Sequence, residues 1–268
     1  MRQRETAVLV ASDLHYGKRT SSYNLDVFEQ RIAALSERLF RVRSLLAEYD
    51  FDELVICLLG DVIDGTCIYP TQQHHQAETR ATRQALDLAA HLSRFVAAQA
   101  DVWGRVRIET VPGNHGRSGF MTAEDDNWDS VMYELLRSAI RDPRIIMPEH
   151  PAGDPFLKVI NVYGHGYLLY HGMAIRMYQT IPWYGLMQRL LRWSTASSLP
   201  PWNTAMIGHF HSCGFWQINR LNAFLTGTMA TDDDWSLQTL GMESAPAWWL
   251  FGVSQKRPVT WQFKMELR

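Results

Sequence analysis

Aspartate, histidine and asparagine recur in this chain just after apolar runs. Asp13 and His15 follow Val8-Leu9-Val10 and stand two residues apart. In extended backbone, side chains two apart share a face, so both can reach one ion. Asp61 and Asp64 follow the run Leu54 to Leu59, in Cys57-Leu58-Leu59-Gly60-Asp61-Val62-Ile63-Asp64-Gly65. Asn114 and His115 follow Val106 to Val111, in Pro112-Gly113-Asn114-His115-Gly116-Arg117. His171 closes Leu168-Leu169-Tyr170-His171-Gly172, and Gly208-His209-Phe210-His211 repeats the spacing of two between histidines. Each fragment alone is weak. Gly-Asp after an apolar run is commonly just a turn, and a lone histidine is commonly a satisfied surface or core group. Together, five apolar runs each end in His, Asp or Asn beside a glycine or turn residue, and five of the 10 histidines lie there. Glycine lets the backbone turn sharply close to a ligand. Mixed imidazole and oxygen donors suit manganese, iron, zinc or nickel better than calcium or magnesium.

These side chains need strands to carry them to one edge. Thr6 to Ala11 reads as a first buried strand, Glu53 to Leu59 as a second and Val106 to Val111 as a third. A helix between the first two is expected to start at Asp26 as N-cap, with Glu29 three residues on. Its buried face is Phe28, Ile32, Leu35, Leu39, Val42 and Leu46, with Arg31, Arg38, Arg41 and Arg43 on a solvated side. The loop from Thr66 to His75 is polar. A second helix covers about Gln76 to Ala100, with Ala85, Leu86, Leu88, Leu92 and Val96 inward. A third covers Asp126 to Ile140. Strand and helix thus alternate, which favours a parallel or mixed sheet with its sites where strands end. The second half is read as a loop from Pro148 to Pro155, then short strands and one helix, Pro182 to Trp193, making a second sheet packed on the first. With no internal repeat and no long linker, residues 1–268 read as one domain.

Composition bounds the class. Of 268 residues, 46% are hydrophobic and 12% aromatic, enough for a large core. The net charge of −2 gives no global field for nucleic acid. Three cysteines, without a CxxC pair, argue for a reducing compartment. No stretch approaches the ~20 apolar residues of a membrane span. The expectation is a soluble, cytoplasmic protein without a membrane partner.

Asp13-Leu14-His15, Gly60-Asp61-Val62-Ile63-Asp64-Gly65, Gly113-Asn114-His115, His171-Gly172 and Gly208-His209-Phe210-His211 together resemble the motif series of the calcineurin-like metallophosphoesterases. They stand in the family's order and span most of the chain. The resemblance implies an α/β fold: a four-layer α/β/β/α sandwich of two mixed sheets flanked by helices, with a site for two divalent ions at the strand ends. It places Asp13, His15, Asp61 and His211 on one ion and Asp61, Asn114, His171 and His209 on the other, with Asp61 bridging. It makes His115 the catalytic histidine that holds no ion. The family commonly has an acid after that histidine. Here Gly116 and Arg117 follow, which leaves open what braces the ring. Asp64 receives no ion and is read as bracing its loop through Gly65.

The resemblance implies a metal-dependent phosphoester hydrolase, with manganese as the first expected metal and iron, zinc or nickel as alternatives. Two such ions activate water and offset charge that grows on the phosphoryl group. His115 would give the leaving oxygen its proton, and Arg117 would grip a phosphate oxygen unless it is simply an exposed turn arginine. A phosphodiesterase acting on nucleic acid or nucleotides is the first reading, since no evident cluster of cations would clamp a dianionic monoester. A phosphomonoesterase is the alternative. A non-catalytic scaffold is the third, opposed by His115 and a full set of ligand positions. The segment 173–203 should rim the site. Its Arg176, Tyr178, Trp183, Tyr184, Arg189 and Trp193 could stack bases and hold a phosphodiester backbone. The other readings are an amphipathic helix resting on Leu186, Met187, Leu190 and Leu191, or an interface between copies in a homo-oligomer. Asp232-Asp233-Asp234 reads as a solvated loop.

Overall fold

Apolar residues alternate between two destinations along the first strand. In the computed structural model, which describes residues 3–69, 72, 77–123, 125–149, 155–179, 181–231 and 245–268, strand β1 is Arg4–Ala11. Leu9 and Ala11 join a core with helices, while Val8 and Val10 join a second core between two sheets. β2 (Asp50–Leu58) divides likewise, Ile56 and Leu58 one way and Val55 and Cys57 the other. A strand buried on both faces has to read as an unbroken apolar run, and these two do.

Helices α1 (Leu25–Leu45), α2 (Ala81–Trp103) and α3 (Trp128–Ala139) contribute to the first core. β3 (Val106–Thr110) and β4 (Ile145–Ile146) continue the first sheet. The second sheet holds β5 (Leu157–Val162), β6 (His165–Tyr170), β7 (Thr204–Ile207), β8 (Gly214–Ile218) and β9 (Leu221–Leu225). Its outer face packs α4 (Trp183–Trp193) through Leu186 and Leu190. Three apolar interfaces therefore separate four layers, helix, sheet, sheet, helix. Both sheets are mixed. The first runs β4-β3-β2-β1 in parallel and is completed by two antiparallel strands, β10 (Ala247–Val253) and β11 (Gln262–Glu266). In the second, β6, β7 and β9 are parallel to one another, with β5 and β8 antiparallel at the edges.

Several expectations are corrected. The strands after residue 245 do not belong to the second sheet: β10 pairs with β1, with Val8 opposite Phe251. Asp26 is not the cap of α1. Asn24 caps it, its side chain accepting the Val27 N–H at 2.9 Å, and Asp26 lies in the first turn. Leu86 faces outward because Ala85, Leu88, Leu92 and Val96 already complete the helical stripe. Arg31 is not solvated: its guanidinium donates to the Met229 carbonyl and, at 3.0 Å, to the Thr231 hydroxyl. The short β4 has no signal in the sequence beyond two isoleucines. Asp232-Asp233-Asp234, residues 70–71 and 73–76 and residues 150–154 lie outside the described residues. All three cysteines are free, and no described helix is long and apolar enough to cross a membrane.

Charges also cross the inter-sheet layer. Lys158 on β5 is 2.7 Å from Glu109 on β3, both nearly fully buried, and Arg107 reaches Glu109 and Glu53 at 3.0 Å each. Removing Lys158 would leave Glu109 Oε2 buried, with only Arg107 on the other oxygen to offset the charge. Lys158→Met is therefore expected to destabilise the protein by about 3 kcal/mol in urea unfolding, and adding Glu109→Leu should restore most of the loss.

Candidate metal centre

The carboxyl ends of β1, β2, β3, β6 and β7 are followed directly by the polar residues singled out above. The turns after β1 and β2 continue the pairing of their strands: Asp13 N–H donates to the Gly60 carbonyl at 3.1 Å and His15 N–H to the Asp61 carbonyl at 3.0 Å. The turn after β1 is also held through the Asp13 carbonyl, which accepts from Met229 N–H and the Thr228 hydroxyl, each at 2.9 Å. The turns after β2 and β3 touch backbone to backbone. A Cβ on Gly60 (φ +82°) would lie 2.3 Å from the Gly113 nitrogen, and one on Gly113 would lie 2.2 Å from an Asp61 carboxylate oxygen. Only glycine permits that approach.

One residue that sequence reasoning missed fixes this contact. Asp129, fully buried at the start of α3, accepts the N–H groups of Asp61 and Gly113 at 2.9 Å each through one oxygen, and Ile63 N–H at 3.3 Å through the other. Asn127 places it, accepting the Asp129 N–H at 2.8 Å. The sequence offers Asp125, Asp126 and Asp129 around Asn127 with nothing to choose between them.

The side chains form two adjoining groups. In the first, Asp13 Oδ1 is 3.1 Å from His211 Nε2 and 3.7 Å from His15 Nε2, and the two histidine nitrogens are 3.2 Å apart. In the second, His171 Nε2 is 3.0 Å from Asp61 Oδ2 and 3.0 Å from Asn114 Oδ1, with His209 in the same cluster. Asp13 links them, its Oδ2 accepting the His209 N–H at 2.9 Å. Asp13, His15 and His171 are fully buried, whereas His209, His211 and His115 are half-buried at the opening.

Does this donor set fit metal ions? Donors about 2.1 Å from one ion and at right angles are about 3 Å apart, which is the spacing within both groups. The protonation pattern agrees. Burial pushes the Asp13 and Asp61 carboxyls up, but neighbouring histidines prevail and hold both well below the usual carboxylate range. Burial and the charge on His171 push His209 down to about 3, and burial lowers His211, leaving both rings neutral and able to ligate. Burial opposes protonation of His15 and His171, yet the carboxylates beside them raise both to about 9. The negative charge that favours a proton on these rings would favour a cation beside them as well. The backbone agrees as well. Among the described residues eight non-glycine residues have positive φ, and five are Asp13, His15, Asp61, His209 and His211. Left-handed backbone costs free energy and persists where the surroundings enforce it, typically at functional sites.

His115 stands beside the two groups. Its N–H donates to Asp61 Oδ1 at 2.7 Å, and its ring Nδ1 is 3.3 Å from Asp64 Oδ1. Asp64 is thus not chiefly a brace for Gly65. Its carboxylate lies between His115 and His15, 3.3 Å from His15 Nδ1, and Gln84 holds the Gly65 N–H instead, at 2.9 Å. Gln72 adds a contact from Nε2 to His115 Nδ1 at 3.1 Å. The bracing that an acid at position 116 would offer comes here from Asp64 and Gln72. Arg117 Nε donates to the Asn114 carbonyl at 3.3 Å. In the segment 173–203, α4 packs Leu186 and Leu190 inward with Met187 and Leu191 against the same core, while Tyr178 and Tyr184 are exposed.

No family model matches the sequence, and no curated protein matches it. Solved structures do. An archaeal phosphodiesterase is 10% identical, with 97% of this chain and 99% of that chain covered, at a TM-score of 0.45. A phosphoesterase from E. coli is 15% identical, covering 97% of this chain and 100% of that chain, at 0.38. Vps29 from Entamoeba histolytica, complexed with zinc, is 12% identical, covering 98% of this chain and 99% of that chain, at 0.41. Identities and scores this low carry no activity or ligand across, and the roles assigned below rest on this chain's own side chains.

Asp129→Asn keeps the shape of the side chain but replaces an ionised acceptor by an amide. We expect a stability loss of about 2 kcal/mol, from charge-assisted hydrogen bonds to two turns. Any divalent metal the protein binds, counted by elemental analysis, should fall with it although Asp129 is not among the candidate ligands.

Proposed function

We propose that this chain is a metal-dependent phosphoester hydrolase of the calcineurin-like metallophosphoesterase type, acting first on phosphodiesters, nucleic acid and nucleotides among them. One observation carries the reading: the ends of five strands bring seven ligand-type side chains into two adjoining groups, with one further histidine, His115, beside them. Asp13, His15, Asp61 and His211 would hold one divalent ion, and Asp61, Asn114, His171 and His209 the other. The mixture of imidazole, carboxylate and amide donors favours manganese, with iron, zinc or nickel as alternatives.

When bound, such ions activate water for attack on phosphorus and neutralise charge on the phosphoryl oxygens. The chain does the rest. Asp61 keeps one oxygen on the His115 N–H, so the carboxylate and the imidazole hold a fixed relation. Asp64 and Gln72 face His115 Nδ1, which leaves Nε2 for the substrate side. From there the ring gives a proton to the leaving oxygen. Arg117, hydrogen-bonded to the Asn114 carbonyl, supplies a guanidinium for a non-bridging phosphate oxygen. The preference for a diester rests on the sequence, which offers no evident cluster of cations to clamp a dianionic monoester. Free thiols throughout fit a reducing compartment such as the cytoplasm.

The test is turnover of bis-p-nitrophenyl phosphate against p-nitrophenyl phosphate by the manganese-loaded protein. Diester cleavage is expected; cleavage of the monoester alone would overturn the substrate class, and no cleavage with ions bound would make the chain a scaffold. His115→Ala should retain both ions per chain and lose about 10²- to 10⁴-fold in kcat. Asp61→Asn should lose manganese from both positions, and a variant still carrying two ions per chain would refute the bridge.

A further inference from the structure

A tyrosine that belongs to none of the motifs stands over the candidate acid. Tyr69 lies in the loop after β2, and its ring centroid is 4.6 Å from that of His115. Its phenol oxygen accepts a hydrogen bond from Asn114 Nδ2 at 2.7 Å. The other atom of that amide, Oδ1, faces His171. Tyr69 thereby favours the amide orientation that turns oxygen toward the ion and nitrogen away from it. Arg117 lies near the same phenol.

The loop is held in place for this. Gln72 Oε1 accepts the backbone N–H groups of Ile68 and Tyr69 at 2.8 and 2.7 Å. With Oε1 so committed, Nε2 donates to the Asp64 carbonyl, and it lies 3.1 Å from His115 Nδ1. One buried glutamine thus ties the backbone that carries Tyr69 to the ring of His115.

A phenol has one proton and two lone pairs. Here the hydrogen-bond partner of the oxygen is an N–H donor, so the proton of Tyr69 has no acceptor among the described residues. An ordinary phenol, with a pKa of about 10, keeps its proton at neutral pH. A half-buried O–H beside an ion ligand, a general acid and a guanidinium calls for an anionic oxygen as its acceptor.

We propose that Tyr69 is a further catalytic residue, its phenol O–H donating to a non-bridging oxygen of the phosphoryl group between Asn114, His115 and Arg117. The inference rests on the phosphoester reading above. Donation to that oxygen is worth most when charge on it is greatest, so the contribution falls on kcat more than on KM.

Tyr69→Phe removes the hydroxyl and keeps the ring over His115. Three readouts on the manganese-loaded full chain decide the matter: bound manganese, kcat and KM for bis-p-nitrophenyl phosphate, and calorimetric affinity for orthovanadate. The expected result is unchanged manganese, a fall of about 10- to 100-fold in kcat/KM carried by kcat, and a comparable loss of vanadate affinity. A variant within about twofold of wild type in both turnover and vanadate binding overturns the proposal. So does a variant that loses manganese together with activity, because Tyr69 would then serve only to hold Asn114. If the wild-type protein with manganese bound neither turns over the diester nor binds vanadate, the phosphoester reading fails and this inference with it.

Discussion

A buried carboxylate that accepts backbone hydrogen bonds from two different turns is the constraint on which the site depends. Asp129 holds the N–H groups of Asp61 and Gly113 within 2.9 Å, and the two turns meet so closely that neither Gly60 nor Gly113 has room for a Cβ. β2 and β3 already pair as far as Leu58 and Thr110, and this contact fixes the turns beyond them, where Asp61 and Asn114 face the same histidine. The arrangement carries an electrostatic cost. Burial and the nearby charge of Asp61 raise Asp129 to about 6. A cation at Asp61 relieves that repulsion, so ion binding and the packing of the turns support one another.

The same logic extends to the candidate ligands. Asp13, His15, Asp61, His209 and His211 all adopt left-handed backbone, each at a cost on the order of 1 kcal/mol or more. Three apolar layers on rigid strands absorb that strain. Helices and sheets supply the stability, and the turns at one edge spend part of it on aiming side chains.

His115 shows how a departure from a motif is compensated in space. The residue after it is glycine, so no adjacent acid orients the ring. Asp64, 51 residues upstream, stands 3.3 Å from Nδ1, and Gln72 closes on the same atom. Gly116 in turn fits against the Asn127 amide, which a Cβ there would strike at 2.3 Å. Position 116 is therefore committed to packing the start of α3, and the bracing of the histidine has to come from elsewhere.

Much of this was legible in the chain. The strands that carry the site are fully buried, so their apolar runs are continuous, and a polar residue after each run marks where it leaves the core. That is why Asp13, His15, Asp61, Asn114, His115, His171, His209 and His211 could be picked out as candidates, and why two sheets with flanking helices could be expected. Sequence alone left other matters open. Asp129, Gln72, Gln84 and Tyr69 look like ordinary residues of loops and helix ends, because their partners lie on other elements. The return of β10 to pair with β1 was invisible for the same reason: strand propensity says that a segment pairs, not with which neighbour. The identity of the site residues is a local property, written in run lengths and spacing. Their orientation depends on hydrogen bonds between turns distant in sequence, and only the tertiary structure brings those turns together.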